Sequence, residues 1–192
     1  MASVVVAGDT SGSVTISAPA VAGSVTVTLP DTTGTMALTS QAIRQVQRSV
    51  TGAVATGTTV IPYDDTVPQN TEGDQYMSVT ITPKSATSLL RIDVKFYGSN
   101  SAAGTQSLMV ALFQDSTASA LATAITTQPT ATAVLNVCSF SYFMTSGTTS
   151  ATTFKVRAGG NAAGTTTFNG QSGGRLFGGS IASSISVTEI GT

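Results

Sequence analysis

The chain has 192 residues, of which only 9% are charged: eight Lys and Arg stand against nine Asp and Glu, with no His and no Trp. The basic residues are scattered from Arg44 to Arg175 without forming a run, which argues against a nucleic-acid partner, because phosphate neutralisation needs clustered cations. Mean hydropathy is +0.26, yet no apolar run approaches the ~20 residues needed to span a bilayer, so a soluble protein is expected.

The opening segment, Met1-Ala2-Ser3-Val4-Val5-Val6, lacks the basic start and long apolar stretch of a secretory signal. Cytoplasmic synthesis is the expectation. There the single Cys138 stays reduced and serves as a small apolar filler in a strand.

Residues 1–40 read as a β-rich arm. The tetrapeptide Gly-Ser-Val-Thr starts at Gly12 and again at Gly23, and apolar residues alternate with hydroxyls, Val14 and Ile16 against Thr15 and Ser17, then Val25, Val27 and Leu29 against Thr26 and Thr28. Such alternation gives a strand one apolar face. So few large side chains cannot form an independent core. The arm therefore either pairs with other chains or orders only on its docking site.

Residues 41–52 have a helical look. Ile43, Val46 and Val50 recur at three- and four-residue intervals, with Ser40 as N-cap and Gly52 as stop. A short helix packed on its symmetry mates and an ordinary helical linker are both compatible with that spacing.

Residues 53–192 read as one β domain. Met77, Val79 and Ile81 alternate with Ser78 and Thr80, and Leu90, Ile92, Val94 and Phe96 alternate with Arg91, Asp93 and Lys95. The second run predicts a strand with its apolar face in the core and its charges in water. Further strands are expected over 106–114, 120–126, 133–144, 152–158, 165–169 and 180–189, separated by Gly-, Ser-, Thr- and Asn-rich stretches. The fold class that follows is all-β: an antiparallel β-sandwich of jelly-roll type with an extended N-terminal β arm and a short helical linker. In the strand around 140, Phe140 and Tyr142 share one face and Phe143 takes the other, which marks either a central strand or a subunit interface.

Chemistry-bearing residues are few. Asp64, Asp65, Glu72 and Asp74 crowd a Pro- and Gly-containing stretch that reads either as a solvated turn or as a cation site, and they match no EF-hand spacing. Asp93, between Arg91 and Lys95, and Asp115, at the start of a turn, read as structural rather than as a glycosidase pair. Gly159-Gly160 and Gly173-Gly174 lack the Lys-Ser/Thr of a phosphate loop. The expectation is a protein that is no enzyme and carries no cofactor or metal. The small-residue stretches 98–104 and 159–164 are candidate contact loops. Exposed rings that could stack on a sugar are limited to Tyr63, Tyr76 and Tyr97.

Two segments carry a resemblance. Residues 12–30, followed by Gly34-Thr35-Met36-Ala37-Leu38-Thr39-Ser40, resemble a module near the start of phage tail and virion-surface proteins. The sequence from Val50 onward resembles the C-terminal domain of phage tail-fibre proteins. It does so through residues 58–74, Ala111-Leu112-Phe113-Gln114-Asp115-Ser116, Phe154-Lys155-Val156-Arg157-Ala158-Gly159 and residues 184–190. The resemblance implies a homotrimeric virion protein, assembled in the host cytoplasm, whose arm binds other virion proteins on tail or capsid and whose sandwich faces outward toward a host glycan or protein. On a trimeric reading, Ile43, Val46 and Val50 form the seam at the threefold axis.

Overall fold

In the computed structural model, residues 3–7, 13–17, 42–102, 106–128 and 133–191 are described. The chain divides into two compact units, Met1–Met36 and Ala37–Thr192.

Among its described residues the first unit holds an antiparallel pair, β1 (Ser3–Ala7) with β2 (Ser13–Ser17), whose register sets Val4 opposite Ile16 and Val6 opposite Val14. The predicted strand around Val25, Val27 and Leu29, and the second Gly-Ser-Val-Thr, lie outside the described residues.

The second unit contains β3 (Ile43–Thr51), β4 (Ala55–Gly57), β5 (Asp74–Ile81), β6 (Leu89–Asn100), β7 (Gln106–Gln114), β8 (Ala122–Gln128), β9 (Asn136–Thr145), β10 (Thr152–Gly160), β11 (Thr166–Phe168), β12 (Gly170–Gln171), β13 (Gly174–Arg175) and β14 (Ser183–Ile190). One sheet runs β5-β10-β7-β8 and the other β3-β14-β6, with β9 on the far edge of β6. Beyond the end of β14, β11 takes over its edge of β6 and carries β4. Counting the eight long strands in chain order, the sheets read first-eighth-third-sixth and second-seventh-fourth-fifth. That interleaving is the jelly roll, and all the pairings are antiparallel.

The core lies between the sheets. Met77, Val79 and Ile81 of β5, Leu90, Ile92, Val94 and Phe96 of β6, Leu108, Val110 and Leu112 of β7, Phe154 and Val156 of β10, and Ile185 and Val187 of β14 are all buried in one cluster. Cys138 sits in the same cluster, and burial pushes its thiol pKa up to about 11, consistent with apolar filling. Tyr76 is not an exposed ring. It packs against Phe96 and Phe168, with ring centroids 5.6 and 5.1 Å away, because the alternation that buries Met77 meets a register shift in β5.

Residues 41–52 do not form a helical linker. Residues 43–51 are β3, paired with β14 from Ile190 to Ser183. Gln45 pairs with Glu189 and Ile43 with Ile190, so Arg44 is an inserted β-bulge residue. The bulge puts Ile43 and Val46 on one side of the strand although they are three apart, which imitates helical periodicity. The β-branched content of the segment and the open edge of β14 decide the matter, as tertiary pairing overrides a weak local preference.

Two buried polar residues hold β3 in place. The Glu189 carboxylate accepts hydrogen bonds from Gln45 Nε2 (2.6 Å) and from the amides of Lys84 (2.8 Å) and Ser85 (3.3 Å). At the other end, Asn169 Nδ2 donates to Thr51 O (2.8 Å) and Ala53 O (3.0 Å), while its Oδ1 accepts from Ser183 N (3.1 Å) and Ser183 Oγ (2.7 Å). Asn169 adopts a left-handed φ of 53°, which asparagine tolerates better than most residues.

Burial opposes the charge on Glu189, but the hydrogen bonds from Gln45, Lys84 and Ser85 outweigh it and hold the carboxyl below the usual range. A carboxyl depressed in the folded state contributes stability above its unfolded pKa and loses it as pH falls through the folded value. Glu189→Gln should therefore lower the urea midpoint at neutral pH, and the gap to the wild type should narrow on acidification toward pH ~3. Ile92→Ala should cost ~2–5 kcal/mol in chemical denaturation, since Ile92 is fully buried between the sheets.

Candidate functional site

The acidic stretch belongs to a loop that covers the outer side of the β5-β10-β7-β8 sheet. In β7, Leu108, Val110 and Leu112 face the sandwich core, so Met109, Ala111 and Phe113 must face outward, and they are nevertheless buried. Ile61 packs on them, with Ala120 at the side, to make a second small core. The loop, residues 58–73, is fastened by Ile61 N to Gly160 O (3.0 Å), Asn70 N to Ala118 O (2.7 Å) and Ala120 N to Pro68 O (2.9 Å). Arg157 clamps its end, donating from Nε to Glu72 O (2.9 Å) and from Nη2 to Gly73 O (2.7 Å).

Three of the four carboxylates of this stretch are engaged by neighbouring donors, and Asp65 is the exception. Asp64 Oδ1 accepts from Thr66 N (2.9 Å) and the Thr66 hydroxyl, and these bonds hold its carboxyl below the usual range. Glu72 accepts from Gln69 N (3.0 Å), and Asp74 accepts from Thr59 N and Thr59 Oγ1, both at 2.9 Å. No group of three or more His, Cys, Asp or Glu that could hold a metal ion occurs among the described residues. Asp93 and Asp115 are likewise engaged, Asp93 with Arg91 (3.0 Å) and Ser141 (2.5 Å), and Asp115 with Thr153 N (2.7 Å) and the Thr152 hydroxyl (2.8 Å).

Beside the covering loop run two grooves of 230 and 360 Å³. The first is lined by Ile61, Pro62, Tyr63, Asp64, Met109 and Ile125, among others, and the second by Asp64, Asp65, Val67 and Leu121, with residues of the adjoining β8. Tyr63, Val67 and Ile125 are exposed.

The other sheet presents a different outer face. Its register brings Val46, Arg48 and Val50 of β3 alongside Thr188, Ser186 and Ser184 of β14, then Arg91, Asp93 and Lys95 of β6, then Phe143, Ser141 and Ser139 of β9. Ile43, Val46 and Val50 thus share one face, at 65%, 52% and 50% exposure. Phe143 is also exposed there, beneath the Arg91 guanidinium at 5.9 Å, and Lys95 stands 5.0 Å above the Tyr97 ring. Phe140 and Tyr142, on the inner side of β9, pack on the core.

The two candidate contact loops meet at one end of the sandwich. Gly98 to Asn100 continue β6 and Gly159-Gly160 complete β10, so the free portions are shorter than the sequence implied. Ser101 N donates to Thr165 O (3.0 Å), and Thr165 N donates to Ser101 Oγ (2.9 Å). A hollow of 370 Å³ beside them is lined by Ser101, Thr165, Thr167, Ser172 and Gly173. Missed by sequence reading was Phe177, which is 75% exposed on a 3-10 turn with a left-handed φ of 47°. Its neighbours Gly178 and Gly179 were the available signal, since paired glycines mark positive φ.

No protein-family profile matches the sequence, and no curated protein does. Among solved structures, the chain is similar to the Eiger TNF from S. frugiperda, with 10% identity over 76% of this chain and 91% of that one, at a TM-score of 0.44. It is also similar to chains of infectious bursal disease virus. For the Gt strain the identity is 13% over 96% of this chain and 46% of that one (TM-score 0.32), and for the Gx strain 11% over 86% and 43% (TM-score 0.34).

A β-carbon at Gly159 would stand 2.5 Å from Thr59 O, in the backbone of the covering loop. Gly159→Ala should push that loop off the sheet, lowering stability by ~1–3 kcal/mol in thermal or urea unfolding and increasing protease cleavage within residues 62–68.

Proposed function

We propose that this chain is a non-enzymatic structural protein of a bacteriophage virion, a homotrimeric tail-fibre or tail-tip component whose N-terminal arm binds the particle and whose jelly roll faces the host. The observation that carries the reading is the division of labour along the chain. A separate N-terminal unit, whose described residues form a two-stranded hairpin of a kind that is at best marginal alone, precedes an antiparallel sandwich in which Asp64, Glu72, Asp74 and Asp115 are engaged in internal hydrogen bonds. Such a sandwich offers surfaces rather than a reactive centre. Its end loops, Ser101 against Thr165, form a small-residue rim suited to contact with a host glycan or protein.

The resemblance of residues 12–40 and 58–74 to phage tail and fibre modules supports the virion assignment. A second reading is a capsid decoration or head-fibre protein, in which the arm grips neighbouring capsid subunits. The separateness of the hairpin unit favours it as much as the first, because a module that needs a partner can find it on a head or on a tail.

Gold-labelled antibody against the chain, applied to intact particles, should mark the tail. Label spread over the head would establish the decoration reading instead. Particles without label, while the protein remains free in the lysate, would overturn the virion assignment.

A further inference from the structure

The exposed stripe on β3 is not purely apolar. Arg48 lies between Val46 and Val50 on the same face, and Arg44 occupies the bulge beside Ile43. Among the described residues the one ion pair joins Arg91 to Asp93, and neither arginine of β3 has an anionic partner there. If the stripe met its own copies at a symmetry axis, Arg48 would be brought against Arg48, and like charges would oppose the contact. The stripe therefore calls for a surface that is apolar and acidic.

The chain carries one. On the covering loop and β8, Tyr63, Val67 and Ile125 are exposed around the two grooves, with Asp64 and Asp65 on their rim and no basic residue in either lining. Asp65 has no partner among the described residues. β3 and β8 are each the terminal strand of their own sheet. Three exposed apolar groups and two cations on one patch thus answer three exposed apolar groups and two anions on the other.

We propose that β3 of one copy, through Ile43, Val46 and Val50, docks on the covering loop and β8 of a second copy, with Arg44 and Arg48 against Asp64 and Asp65. The inference rests on the homo-oligomer reading above and specifies its contact. The two patches are different parts of the chain, so the contact is heterologous and repeats head to tail. It closes into a ring where the rotation allows, and a trimer is such a ring.

The test uses the full chain, with sedimentation velocity across a micromolar series at low and high salt. Arg48→Glu and Asp65→Arg, both at exposed positions, should each weaken self-association about tenfold or more, and the double variant should regain most of it. Circular dichroism and thermal melts check that each variant is folded. If the wild type associates but the single variants do so equally well, the contact is overturned while the oligomer reading stands, and the covering loop is left open to a different partner. Weakening by both single variants without recovery in the double also overturns the pairing. A wild type that stays monomeric throughout removes the oligomer reading and this inference with it.

Discussion

β14 is hydrogen-bonded along both edges, to β3 on one side and β6 on the other, and the arrangement of the domain depends on that position. It supplies Ile185 and Val187 to the core and carries the buried Glu189 at its end. A buried carboxylate without a cation is costly unless donors replace its water. Here the replacement is three donors from two places: the side chain of Gln45 on β3 and two backbone amides in the turn between β5 and β6. Glu189 therefore joins both sheets through their connection, and Asn169, at the opposite end of β3, ties the end of that strand to the start of β14. In a chain with so few charges, specificity is written in such neutral or singly charged hydrogen-bonded nodes. Cross-strand hydroxyl pairs such as Thr80 with Thr153, at 2.8 Å, continue the same economy at the surface.

The second organising feature is the loop over residues 58–73. A jelly roll has two outer faces, and here they are treated oppositely. One is sealed by the loop, so that β7 is buried on both sides. The other is left open, with charged and aromatic side chains on a hydroxyl background. Close approach of the loop to β10 requires a residue without a β-carbon at Gly159, and Arg157 fixes the loop by its carbonyls rather than by its carboxylates. Asp64 and Asp65 are left on its solvent side.

How much of this was legible in the sequence depended on whether a residue obeyed a simple period. β6 was plain, because Leu90, Ile92, Val94 and Phe96 alternate without interruption and are all buried. β3 was read as a helix because one bulged residue converts an alternating pattern into a spacing of three and four. The seam residues were nevertheless grouped on one face, which is where the strand places them. The covering loop was taken for a solvated turn with a cation alternative. Nothing local tells that Ile61 is buried, since its partners Met109 and Phe113 lie far along the chain. Asn169 and Glu189 were invisible for the same reason: their function is to join segments distant in sequence. β4 and the β12–β13 hairpin are too short to leave a periodic trace.

The pairing of the first strand of the sandwich with the last has a kinetic side. Gln45 and Glu189 are 144 positions apart, and the ladder around them cannot form until both are present. During synthesis the edge of β6 that β14 will occupy stays open until β14 itself has been made, while the hairpin of β1 and β2, whose contacts are local, can form at once. Contacts of such long separation slow folding, because loop closure precedes any reward from them. Unfolding must likewise break a ladder anchored at both ends, so the domain is built to form late and to come apart slowly.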